Sequence, residues 1–135
     1  MATKNITAKP DLYSDFRTDF LIHPMKKDLV MVKNEDSVIQ SIKNLLYTGQ
    51  YERFWQPDIN AGLRHYLFEL PSKMTEIGIR DSIMAVIRNH EPRAELIEVY
   101  VSLSVDESAY EATIVFSVVN REEAISFTTL LQRLR

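Results

Sequence analysis

The chain has 135 residues, of which 45% are hydrophobic and 26% charged, the usage of one ordinary globular domain rather than a disordered segment. A formal charge of −3 argues against a nucleic-acid binder, which carries a basic face. The absence of cysteine excludes disulfides, thiolate metal sites and cysteine nucleophiles, and suits folding in a reducing cytoplasm.

Residues 1–33 read as an N-terminal arm with short strands, and residues 34–135 as a single domain. No apolar run follows Met1-Ala2-Thr3-Lys4-Asn5, so no signal peptide is expected there, and no segment has the ~20 apolar residues of a membrane span. A soluble intracellular product is the expectation. Within the arm, Asp11-Leu12-Tyr13-Ser14-Asp15-Phe16 and Asp19-Phe20-Leu21-Ile22 hold anchors without helical spacing. Leu29-Val30-Met31-Val32 is a short β-prone run closed by Lys33-Asn34.

A first helix is predicted from about Asp36 to Tyr47, capped by Asn34, with Glu35 and Asp36 at the positive end of its dipole. Val38, Ile39, Ile42, Leu45 and Leu46 form its apolar stripe, and Thr48-Gly49 closes it through a left-handed glycine. A loop follows to Ile59, then a second helix from Asn60 to Leu70 with Leu63, Tyr66, Leu67 and Leu70 inward. The third helix runs from about Thr75, its cap, to His90, with Ile79, Ile83, Val86 and Ile87 inward. Gly78 within it is small enough to admit a close neighbour.

Pro92 ends this helix, because proline disfavours helical geometry at the preceding Glu91. The period then becomes two. Ile97, Val99, Val101, Leu103 and Val105 share one face, with Glu98, Ser102 and Ser104 on the other. Asp106-Glu107-Ser108-Ala109 makes the turn, and Tyr110, Ile114, Phe116 and Val118 alternate in the return strand. Leu130, Leu131 and Leu134 leave the end ambiguous, but Ile125-Ser126-Phe127-Thr128-Thr129 favours a third strand. The fold class is α+β: about three helices, then a small antiparallel sheet of a hairpin plus C-terminal strand, with an N-terminal arm.

Chemical signatures are few. Gly49, Gly62 and Gly78 lie too far apart to cradle a phosphate, and there is no Gly-x-Ser-x-Gly elbow or His-Glu-x-x-His pair. His65 and Glu69 are four apart on a helix, yet nothing nearby supplies further metal ligands. Glu52, Glu69 and Glu91 are the candidate acids for glycoside hydrolysis, in a chain with little room for a sugar-sized cleft. No cofactor is expected. Glu91-Pro92-Arg93 differs in kind: proline fixes the backbone, and residues two apart in an extended segment project to one side. The pair either braces the junction or offers a guanidinium fork to a partner.

At this tripeptide the chain resembles the baseplate wedge subunits of contractile-tailed phages, relatives of the sheath-initiating subunit of type VI secretion systems. The resemblance extends to Tyr13-Ser14-Asp15-Phe16, to the first helix from Ser37 to Thr48, to Glu52-Arg53-Phe54 and Pro57, and to Leu67-Phe68-Glu69. It covers the chain from about residue 12 onwards and departs from the family at Asn60, where a glycine is common. It implies a non-enzymatic structural subunit of the virion tail baseplate, assembled in the host bacterial cytoplasm. Glu91, Pro92 and Arg93 would bind the larger baseplate wedge proteins, and the C-terminal sheet would give the tail sheath protein a strand-exchange platform that initiates sheath polymerisation. Neither nucleic acid nor membrane is an implied partner. Because some members of the family are called lysozymes, a lysozyme-like glycoside hydrolase acting on peptidoglycan is the alternative.

Overall fold

Two hydrophobic periods, one of helices and one of strands, meet in a single core. The structure, a computed structural model, describes residues 10–104 and 109–132. In chain order the elements are β1 (Ser14–Phe16), β2 (Met31–Lys33), α1 (Asn34–Tyr47), α2 (Leu63–Phe68), α3 (Lys73–His90), β3 (Ala94–Leu103), β4 (Ala109–Val118) and β5 (Ala124–Gln132). β1 and β2 pair antiparallel as a small hairpin, and β3-β4-β5 form an antiparallel sheet in that order. The expected α+β order of helices before sheet is what forms.

α1 buries Val38, Ile42, Leu45 and Leu46, the stripe read from the sequence, with Ile39 packed beside them. It starts two residues earlier than predicted, and Asn34 is not its cap. Asn34 adopts a left-handed backbone (φ 51°), and its side chain turns back to accept from the Leu12 amide (2.8 Å). At the other end Thr48 is extended, and its amide and hydroxyl both donate to the Asn44 carbonyl. Gly49 is therefore not needed as a left-handed stop. That conformation falls at Gly62 (φ 63°), which precedes α2. The Asn60 side chain accepts from the Gly62 amide at 2.7 Å, so Asn60 holds this turn by a hydrogen bond rather than by its own backbone.

α2 is shorter than the predicted Asn60–Leu70. Glu69 has already turned extended, and Leu70 precedes Pro71, where helical geometry is disfavoured. Leu70 is accordingly 87% exposed instead of inward. Ser72, not Thr75, caps α3: its hydroxyl accepts from the Thr75 amide at 3.1 Å, and Thr75 is buried beneath. Ile79, Ile83, Val86 and Ile87 face the core as expected. Gly78 does admit a close neighbour, since a Cβ there would lie 2.5 Å from the Tyr66 ring of α2.

β3 carries a bulge that the sequence reading missed. Leu96 pairs with Phe116 and Glu98 with Val115, leaving Ile97 without an opposing residue. The extra residue switches the inward parity, so Leu96 faces the core and Ile97 is 54% exposed, while Val99 is buried beyond the shift. Val105 and the turn residues 106–108 lie outside the described residues. Residues 124–132 form the third strand: Leu131 and Thr129 are buried, and Phe127 packs edge-to-face on Phe116 with centroids 6.1 Å apart. α3 packs along β3, and α1 lies across β4 and β5, where the Tyr47 hydroxyl meets Thr129 Oγ1 (2.9 Å) and donates to the Leu130 carbonyl. Among the described residues no helix is long and apolar enough to cross a membrane.

Two substitutions probe these features. Gly78→Ala is expected to lower stability by about 1 kcal/mol, because displacing the Tyr66 ring outweighs the better helix propensity. In a Tyr66→Ala background the same change raises it by about as much, read from urea midpoints of the four proteins. Ile97→Thr stays within about 0.5 kcal/mol of the parent, as an exposed bulge residue should.

Candidate functional site

α3 ends at Glu91, whose amide still donates to the Ile87 carbonyl (2.9 Å). Pro92 then turns the chain outward, and Arg93 leads into β3, its carbonyl accepting from the Val119 amide across the sheet (3.0 Å). The tripeptide is thus clamped between a helix end and a strand start. Residues 91–94 close a turn, the Ala94 amide donating to the Glu91 carbonyl (3.2 Å), and this turn, rather than the extended segment expected from the sequence, brings the Glu91 and Arg93 side chains together.

The guanidinium grips Glu91 as a fork, Nε to Oε1 at 2.8 Å and Nη2 to Oε2 at 3.1 Å. Its remaining arm, Nη1, donates to Asp15 Oδ2 (2.9 Å) and to Ser37 Oγ (3.3 Å), and the Ser37 hydroxyl donates to the same Asp15 oxygen. The Tyr13 ring lies against the guanidinium, 5.6 Å from centroid to Cζ. The Glu91 side chain is 3% exposed, Arg93 24% and Asp15 39%, so the cluster runs from the interior to the surface. Pro92 is exposed above it.

Burial pushes the Glu91 carboxyl upward, but hydrogen bonds from Arg93 and Ser41 and the Arg93 charge outweigh it and leave its pKa below the ordinary value. Asp15 is lowered as well, first by the Ser37 hydroxyl and then by Arg93. Arg93 is raised, chiefly by its bond to Glu91. The cluster is therefore fully ionised at neutral pH and matched in hydrogen bonds.

Of the residues singled out by sequence, Glu91 and Arg93 meet each other, and the fork is an internal brace. Tyr13, Asp15 and Ser37 complete the site without having been assigned to it. They lie in stretches that carry the family resemblance, but their separation from Arg93, 78 residues for Asp15 and 56 for Ser37, left no local signal. The other carboxylates lie elsewhere. Glu52 accepts from the Gly49 amide (2.8 Å) in the loop after α1, and Glu69 meets an exposed His65 (3.1 Å) after α2. Among the described residues no group of three or more His, Asp or Glu side chains is placed to hold a metal.

A cleft of about 450 Å³ opens beside the cluster, between the arm, α1, the loop 50–59 and the end of α3. Asp15 and Ser41 form part of its wall, so the groups that hold Arg93 and Glu91 also shape it.

Residues 32–122 match the model of the family described as baseplate wedge protein gp25. Baseplate wedge protein gp25 of Enterobacteria phage T4 is 26% identical over 114 residues, 84% of this chain and 86% of its own. Two solved structures share the fold. A crystal structure named as a tail lysozyme from Geobacter sulfurreducens has a TM-score of 0.71 at 22% identity, covering 78% of this chain and 96% of that one. A chain of the anti-feeding prophage baseplate, seen by cryo-electron microscopy, has a TM-score of 0.64 at 19% identity, covering 89% and 85%.

Arg93→Ala removes the counter-charge of a buried carboxylate and is expected to destabilise the fold by about 3 kcal/mol. Because Glu91 and Asp15 both have lowered pKa values when folded, their stabilisation is complete above about pH 4.5 and is lost as pH falls through the folded values. Acid titration of stability should show this loss in the parent and a flatter acid limb in Arg93→Ala. Equal acid limbs in the two proteins would count against the network.

Proposed function

We propose, from the premise that this chain belongs to the gp25 family of baseplate wedge proteins, that it seats on the larger wedge proteins through the surface around Glu91, Pro92 and Arg93 and gives the tail sheath protein its first strand partner. As a wedge component of a contractile tail it is part of the virion, associated with other baseplate proteins. Residues 34–135 act as the wedge domain and residues 1–33 as its N-terminal arm, and assembly takes place in the host cytoplasm.

The observation that carries the wedge contact is the clamped junction. A rigid proline stands exposed over an ionised cluster in which one guanidinium is shared by two carboxylates, a preorganised surface that loses little conformational entropy when a partner binds. For the sheath contact the support is topological. β3 and β5 each pair with β4 alone among the described residues, which leaves two strand edges whose main-chain groups can recruit another strand.

The same geometry weighs against glycoside hydrolysis at Glu91. A general acid needs a raised pKa and access to substrate, whereas Glu91 is nearly inaccessible and held below its ordinary value by Arg93 and Ser41. The likeness to the structure named as a tail lysozyme, at 22% identity, concerns the fold. The proposed role is therefore non-enzymatic.

The test is co-assembly with the larger wedge proteins of the same tail. Pro92→Glu alters an exposed side chain and should lose only about 0.5–1 kcal/mol as the unfolded chain gains freedom, and yet the folded protein should fail to enter the complex. Arg93→Ala should also fail, at a temperature where circular dichroism shows it folded. Entry of both variants at parental yield would remove the junction from the interface, and peptidoglycan cleavage abolished by Glu91→Gln would establish the enzyme instead.

A further inference from the structure

The cleft beside the cluster has an unusual lining. Arg53 and Gln56 of the loop and Asn89 and His90 at the end of α3 face it, and none of these four side chains makes a hydrogen bond or ion pair with another described residue. Arg53, Gln56 and Asn89 are exposed and His90 half-buried, so their polar atoms face solvent at one concavity and are open to an external acceptor. Arg93 is shared between Asp15, the acid of the cleft wall, and Glu91, whereas the Arg53 guanidinium has no ion-pair partner among the described residues.

Arg53 and Gln56 flank Phe54 and Trp55, which are 94% and 96% exposed. Four consecutive residues therefore offer an Arg, two bare aromatic rings and an amide on one loop. Arg and Trp are the residue types that dominate binding energy at protein interfaces.

We propose that this loop and cleft receive an acidic side chain of another baseplate protein, its carboxylate on Arg53 and its apolar flank under Phe54 and Trp55. The assignment rests on the wedge reading above and names the chemistry of the partner surface. A cavity of about 450 Å³ accommodates a few side chains rather than a domain, so the cleft takes a protruding acid while the aromatic rings cover the surface around it.

The full-length chain is titrated with the purified larger wedge proteins of the same tail. Arg53→Glu and Trp55→Ala should melt as the parent does, since both side chains are exposed. Each should bind roughly ten- to a hundredfold more weakly, with Arg53→Lys in between because it keeps charge but loses the fork. Replacing the matching partner acid by lysine should restore binding to Arg53→Glu and not to the parent. Trp55 is the chain's one tryptophan, so its emission reports directly. It should be that of a water-exposed indole when free and lose accessibility to acrylamide in the complex, with partner tryptophans replaced. Parental affinity in both Arg53→Glu and Trp55→Ala overturns this site while the wedge reading stands. Failure of the parent itself to bind overturns the wedge reading and this inference with it.

Discussion

The junction between the last helix and the sheet depends on one guanidinium finding three acceptors where an unpaired carboxylate would be strongly disfavoured. Glu91 sits at the end of α3 with its side chain almost wholly out of water, and the Arg93 fork, the Ser41 hydrogen bond and the Arg93 amide keep it ionised there. The same guanidinium then reaches Asp15 in β1 and Ser37 in the first turn of α1. A single side chain so joins the N-terminal arm, the first helix, the third helix and the sheet. The bonds are directional, which fixes the angle between these elements more narrowly than apolar packing would.

Around that cluster the attachment of the arm is largely polar. Gln40 of α1 donates to the Phe16 carbonyl and accepts from the Thr18 amide, and Asn34 accepts from the Leu12 amide. Of the arm's apolar residues, Tyr13 packs on the core and Leu29, Val30 and Val32 are half-buried, whereas Phe16, Phe20, Leu21, Ile22 and Met25 are exposed. Hydrogen bonds and the Asp15–Arg93 ion pair therefore carry much of the arm's attachment. In an assembled baseplate such exposed residues are a natural place for further burial.

The helices cover one face of the three-stranded sheet, and among the described residues no strand pairs with the outer edges of β3 and β5. The cleft beside the cluster is lined by polar side chains, and the loop that forms one wall carries its aromatic rings outward. Clamped junction, strand edges and aromatic loop are the features on which the proposed contacts rest, in a chain that belongs to a family of baseplate wedge proteins.

Local periodicity was enough to place three helices before a sheet, to choose the inward face of α1 and α3, and to mark Glu91, Pro92 and Arg93 as a rigid unit. Those features depend on neighbours within a few residues, which a sequence displays directly. The motifs that carry the family resemblance were legible for the same reason, as short ordered stretches. Tertiary structure decided the rest. The bulge at Ile97 arises from how β3 meets β4, and it reversed the inward face of the start of that strand. Asn34 gave up a capping role because the arm offered its side chain other partners. Whether Arg93 would meet Glu91 or something else turned on side-chain burial, and its bond to Asp15 on a contact 78 residues away, which no local pattern encodes. The sequence by itself determined the elements and the key residues. Only the packing of the arm and α1 against the end of α3 determined that those residues form one ionised, four-way brace.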